Sequence, residues 1–169
     1  MRLDLMELKS MHPLLPASTA LEYGHRAAVG MGRHLHVSGV ALATLIENKA
    51  HEASLHWALA PAGDVEQLDR NRITEDAAEA VALALVHTAH GWVVRRRLQR
   101  GESADWLLQD ATALPIALEV SGIDEGDCSD RLRIKLDQVR RTTVAKQRAA
   151  CVVELKTPHA RLAMASGIG

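Results

Sequence analysis

Aromatic residues are almost missing from this chain: 169 residues include three Trp, one Tyr and no Phe, 2% in all. Readers of single-stranded nucleic acid stack bases on exposed rings, so this scarcity argues against that class. It also leaves Leu, Val, Ile and Ala to build the core. Cysteine is as sparse. Cys128 and Cys151 are the full complement, which suits neither a disulfide framework nor a zinc ribbon. Charge of one sign is not in excess either, the formal net charge being −1; any basic surface for nucleic acid must be a local patch. No apolar run approaches the ~18 residues of a membrane span. The opening MRLDLMELKS carries Asp4 and Glu7 without an apolar stretch, unlike a signal peptide. A reduced, cytoplasmic protein with no membrane partner is the expectation.

The 47% of hydrophobic and 24% of charged residues describe an ordinary globular domain, with neither repeats nor low-complexity segments. The polar stretch Pro61–Asn71 reads as a linker. It divides an N-terminal extension, residues 1–70, from a core, residues 71–169. In the extension, Ser18 can cap a helix over Thr19–Gly32, weakened by Gly24, Gly30 and Gly32. The segments VSGVALATLIEN and EASLHWAL, either side of Asn48–His51, read as a hairpin, although their alanines also allow helix.

The core is clearer. Thr74 is expected as the N-cap of a helix running through Ala77–His90 to a stop at Gly91. WVVRRRLQR, SADWLLQD and IALEVSG read as three strands, the last apolar enough to lie centrally. Ser129 and Asp130 open a second helix with Leu132, Leu136, Val139 and Thr143 on its buried stripe. ACVVELKTP is a further strand ended by Pro158, and ARLAMAS a short closing element. This is an α/β fold with a mixed sheet.

Two acids occupy strand positions where an apolar residue would be ordinary. Asp105 and Glu119 lie on successive strands, so their carboxylates can converge on one divalent cation, and oxygen ligands of this kind suit Mg2+ or Mn2+. Such a metal activates water and stabilises charge on a scissile phosphate. The alternative is that the acids pair with nearby arginines of the Arg95–Arg97 run.

The order helix, three strands, helix, strand over Thr74–Pro158, together with these acids, resembles the PD-(D/E)xK nuclease superfamily, whose restriction-endonuclease-like core runs αβββαβ. The resemblance implies a metal-dependent endonuclease acting on DNA, with Asp105 as the first acid and Glu119-Val120-Ser121 in the place of the acid-x-lysine triplet. Ser121 stands where the family has lysine. Variants of the family move that lysine to the following helix, which implies Lys135, with Gln138 one turn on. The family also recruits an acid from its first core helix, here Glu75 or Glu79, although charge near the start of that helix explains both. A second E-x-K, Glu154-Leu155-Lys156, is a rival triplet with Glu119 as its distant acid, but it falls on the fourth strand of that order; Glu154 could still lie beside Glu119 as a third carboxylate. Arg95, Arg97 and Arg131 belong to basic clusters flanking the acids and are the candidate phosphate contacts. Were Ser121 the mark of a degraded site, the chain would be a non-catalytic binding or assembly protein with the same fold.

Other constellations are weaker. His34, His36, His51 and His56 are a poor zinc signal and read better as scattered surface groups. Cys128 has no activating cation in sequence and is not expected to be a nucleophile. Because cutting both strands usually takes two copies, a symmetric homodimer is expected, with the apolar hairpin residues Val40–Ile46 and Leu55–Leu59 as partner surface.

Overall fold

The computed structural model describes residues 1–60 and 69–165; most of the stretch read as a linker lies outside them. The elements in order are β1 (Arg2–Asp4), α1 (Leu8–Met11), α2 (Ala17–Arg33), β2 (Val40–Ile46), β3 (Lys49–His56), α3 (Arg70–His90), β4 (Val93–Arg97), β5 (Trp106–Gln109), β6 (Pro115–Ile123), α4 (Cys128–Val139), β7 (Gln147–Glu154) and β8 (His159–Met164). The eight strands among the described residues form one mixed sheet in the order β1-β3-β2-β8-β7-β6-β5-β4. The chain is therefore α/β, as the element pattern implied. No helix among the described residues is long and apolar enough to cross a membrane.

The strands β4, β5 and β6 form an antiparallel meander. β7 then runs parallel to β6, a pairing that requires a crossover, and α4 supplies it. α3 packs on one face of β6 and β7, with Leu118, Val120, Ala149, Cys151 and Val153 in the large core beneath it. α4 covers the other face through Leu132, Ala150 and Val152. Helix α3 is buried without a break from Ala77 to Val86, and its run of alanines lets it lie close to the sheet. At the nearest approach a Cβ on Gly122 of β6 would sit 2.2 Å from the Thr74 carbonyl oxygen, so only glycine fits there. Gly30 of α2 also sits at a tight approach, since a Cβ would meet the Leu155 side chain at 3.0 Å and that of Ile73 at 3.3 Å. The glycines that weaken α2 as an isolated helix thus include one that eases its packing.

Several local expectations are corrected. Asp69, not Thr74, caps α3, its carboxylate accepting from the Arg72 amide at 2.9 Å. Thr74 lies a turn inside, and its hydroxyl donates to the Arg70 carbonyl, as threonine does within a helix. Gly91 ends α3 in the left-handed region, φ 69°. The hairpin β2–β3 forms, but it turns on Glu47-Asn48, both with positive φ, the geometry that matches strand twist; Lys49, Ala50 and His51 belong to β3. α4 ends at Val139 and leaves Thr143 exposed, while Thr142 is buried and donates to the Glu102 carbonyl.

The N-terminal piece does not stand apart from the rest. β2 pairs parallel to β8, and Leu3, Leu42 and Leu55 share one core with Leu83 and Val153. This burial also removes most of the surface expected to meet a partner: Leu42, Ile46, Leu55 and Trp57 of the hairpin region face the chain's own core, and Leu59 alone of the large apolar residues in 55–59 is well exposed.

Candidate functional site

Strand register brings Asp105 and Glu119 together. Asp105 immediately precedes β5, and its backbone N–H donates to the Leu118 carbonyl at 3.0 Å. Its side chain turns toward β6, where one oxygen accepts from the Val120 amide at 2.8 Å. Glu119 lies mid-strand on β6, opposite Ala150 of β7, and is 2% exposed. The two carboxyls come within hydrogen-bonding reach of each other. From α4, the Lys135 ammonium donates to Glu119 at 2.6 Å and to the Gln138 side-chain oxygen at 3.2 Å.

The electrostatics follow from this crowding. Burial pushes the Glu119 carboxyl up from its ordinary 4.5 to about 7; the neighbouring Asp105 charge adds to the rise and Lys135 opposes it. Burial also raises Asp105, the Val120 amide pulls the other way, and the negative charge of Glu79 adds to the rise. Two carboxylates against one ammonium leave one excess negative charge in a mostly dry site. Either a shared proton or a cation relieves it. The oxygen donors suit a hard divalent ion such as Mg2+ or Mn2+.

The other candidate residues go elsewhere. Glu79 carries a separate network: its carboxylate accepts two bonds from Arg97 at 2.8 Å, one from the Trp106 indole at 2.7 Å and one from the Tyr23 hydroxyl at 2.9 Å. The Arg97 guanidinium also donates to the Tyr23 oxygen and lies 5.0 Å from the centre of the Trp106 ring. Arg97 therefore serves an internal acid rather than standing free for phosphate. Arg96 pairs with Glu102, while Arg95 is exposed and bonds Gln109. Arg131 donates to the Ser121 hydroxyl at 2.9 Å. Glu154 is not beside Glu119; it pairs across the ladder with Ile123, four positions along. Lys156 reaches Glu125 on the surface at 2.7 Å. Glu75 is exposed. His34 donates to Asp124, and His36 turns to the Leu155 and Lys156 carbonyls.

Sequence reasoning missed the Glu79 network. The signal was an acid flanked by Ala78 and Ala80 inside a helix buried all round; such a carboxylate must have a partner. Beside the network a cleft of about 510 Å³ opens between α2, α3 and β4, lined by Tyr23, Arg72, Asp76, Arg95, Arg97 and Trp106 among others. It lies on the α3 face, whereas Glu119 and Lys135 meet on the α4 face. No family model, curated protein or solved structure matches this chain.

Proposed function

We propose that this chain is a divalent-metal-dependent endonuclease with a restriction-endonuclease-like core, hydrolysing DNA phosphodiester bonds at Asp105, Glu119 and Lys135. The observation that carries the reading is the meeting of Lys135, arriving from α4, with the buried Glu119 and Asp105, 2.6 Å separating its ammonium from the Glu119 oxygen. The element order α3-β4-β5-β6-α4-β7, with an antiparallel meander followed by a parallel strand, supports the same assignment.

Asp105 and Glu119 would hold Mg2+ or Mn2+, which when bound supplies a Lewis acid for the phosphate and a more acidic water. Lys135, held by Glu119 and by the Gln138 side-chain oxygen, would orient the attacking water and offset charge on the phosphate. This is the role the family gives to the third residue of its triplet, where Ser121 stands here. Arg95 and Arg131, both exposed and flanking the two acids in sequence, would contact the DNA backbone. Cutting both strands would take two copies, so the homodimer remains part of the proposal; a strict monomer by light scattering would remove it.

Two contacts favour the non-catalytic alternative: Lys135 is already engaged by Glu119, and Ser121 is held by Arg131. Thermal melting of the native chain and of Asp105→Asn, with and without millimolar Mn2+, separates the two. A nuclease site gives a metal-dependent rise in melting temperature that the variant loses, together with nicking of supercoiled plasmid that disappears in Asp105→Asn. Lys135→Ala should keep the metal response and lose cleavage. A native chain indifferent to metal overturns the reading.

A further inference from the structure

A second cluster lies at the other end of the α4 face. Cys128 is the first residue of α4, Glu154 the last of β7 and His159 the first of β8. Glu154 and His159 are cross-strand neighbours where the two strands join. The thiol sulfur, a carboxylate oxygen and an imidazole nitrogen of these three residues all lie within 4.8 Å of one another. Cys128 and Glu154 are buried and His159 half-buried. The Glu154 backbone lies close enough to the Cys128 thiol to favour its thiolate form, against the larger effect of burial. Among the described residues no lysine or arginine forms an ion pair with Glu154; the nearby Arg161 donates to the Ser129 hydroxyl instead.

We propose that Cys128, Glu154 and His159 bind one zinc-class divalent cation, with the fourth coordination position left to water or a ligand. The donor types decide the class of metal. A thiolate with an imidazole selects a borderline-soft ion, whereas the all-oxygen pair Asp105–Glu119 selects a hard one. The geometry fits with a small contraction: bonds of ~2.0–2.3 Å in a tetrahedron put donor atoms roughly 3.4 Å apart, so the cluster closes by about 1 Å through side-chain rotation. The charge also fits, since a thiolate and a carboxylate together balance a dication. Burial pushes the free thiol up to about 11, so the metal enters by displacing the thiol proton to solvent. The two sites are separate. The Glu119–Ala150 and Ile123–Glu154 pairs are four ladder steps apart, roughly 13 Å at the rise of a strand. The cation would tie the start of α4 to the β7–β8 turn.

Cobalt(II) titrated into the full-length, metal-free chain tests this directly. The expected result is a thiolate-to-cobalt charge-transfer band and the strong visible bands of a tetrahedral site, saturating at one equivalent and displaced by zinc. Cys128→Ser should remove the charge-transfer band, while Cys151→Ala should keep it, because Cys151 lies in the core on the opposite face. Asp105→Asn should also keep it, so failure here is distinct from failure of the nuclease reading. His159→Gln, at a partly exposed position, should weaken cobalt binding by about tenfold or more, as even outer-shell partners do; it serves if Cys128→Ser does not fold. Absence of the band in the native chain, its persistence in a folded Cys128→Ser, or unchanged affinity in His159→Gln overturns the proposal.

Discussion

Glu79 and Glu119 are both buried carboxylates in contact with the same sheet, on opposite faces, and they are treated in opposite ways. Around Glu79 every oxygen has permanent donors: Arg97 twice, Trp106 and Tyr23. Around Glu119, among the described residues, there is a single paired cation, Lys135, and a second acid pressed against it. A fully donated carboxylate ties α2, α3, β4 and β5 together and has nothing further to bind. An under-compensated pair is a standing cost to the fold, and it is where a proton or metal ion finds a favourable place.

Breaking the satisfied side should have the largest effect. Glu79→Ala strips a half-exposed guanidinium, a buried indole and a buried phenol of their acceptor at once. We expect a loss of about 3 kcal/mol in urea unfolding, the low end for a broken buried pair because Arg97 is half exposed. A loss under about 1 kcal/mol would mean that the network is ornamental and the contrast with Glu119 is misplaced.

The under-compensated side should reveal itself through pH. Glu119 has a folded pKa of about 7 against an ordinary 4.5, so the folded state holds the proton more tightly than the unfolded chain. Its contribution is present at low pH and is lost as pH rises through 7. Native stability minus that of Glu119→Gln, measured without metal, should fall by on the order of 2 kcal/mol between pH 5 and pH 8. The difference is the proper quantity because His12 acts in the opposite direction. Burial, first, depresses its folded pKa to about 4; its Nδ1 accepts from Val94 and its other nitrogen faces the Leu83 carbonyl. It therefore costs stability as pH falls below 6.5 in both proteins and cancels on subtraction. A difference that is flat with pH would place Glu119 among the satisfied acids.

Lys135→Met sharpens the comparison further. Removing the one cation paired with Glu119 among the described residues should cost about 1–2 kcal/mol above pH 7, with less loss at pH 5, where Glu119 is protonated. Equal losses at both pH values would assign Lys135 a packing role instead. The smallest effect is expected at Lys156, whose pair with Glu125 is exposed on both sides. Lys156→Ala should change stability by less than about 0.5 kcal/mol and leave plasmid nicking intact. Loss of nicking there would move the active triplet to Glu154-Leu155-Lys156.

What could be read from residue order was local. The short strand Trp106–Gln109, the apolar run of Pro115–Ile123 and the helical run closed by Gly91 each depend on neighbours a few positions away, and these elements form as expected apart from the start of the helix, which lies a turn earlier. Asp105 and Glu119 were legible as a pair because a short antiparallel connection leaves little freedom in how two strands meet. Chain order alone also established the near absence of aromatic residues, and so which four residues carry the Glu79 network is partly a matter of supply: Trp106 and the single Tyr23 are half of it. Their assembly was decided elsewhere. Tyr23 is 56 positions from Glu79, His159 sits 31 positions after Cys128 in sequence, and β2 finds β8 across more than a hundred residues. Such meetings are set by strand register and by how closely helices approach the sheet, down to Gly122 under Thr74. These are properties of the packed whole, which pair local preferences without being encoded in any one of them. The same packing decided which acid became a fastening and which was left short of partners.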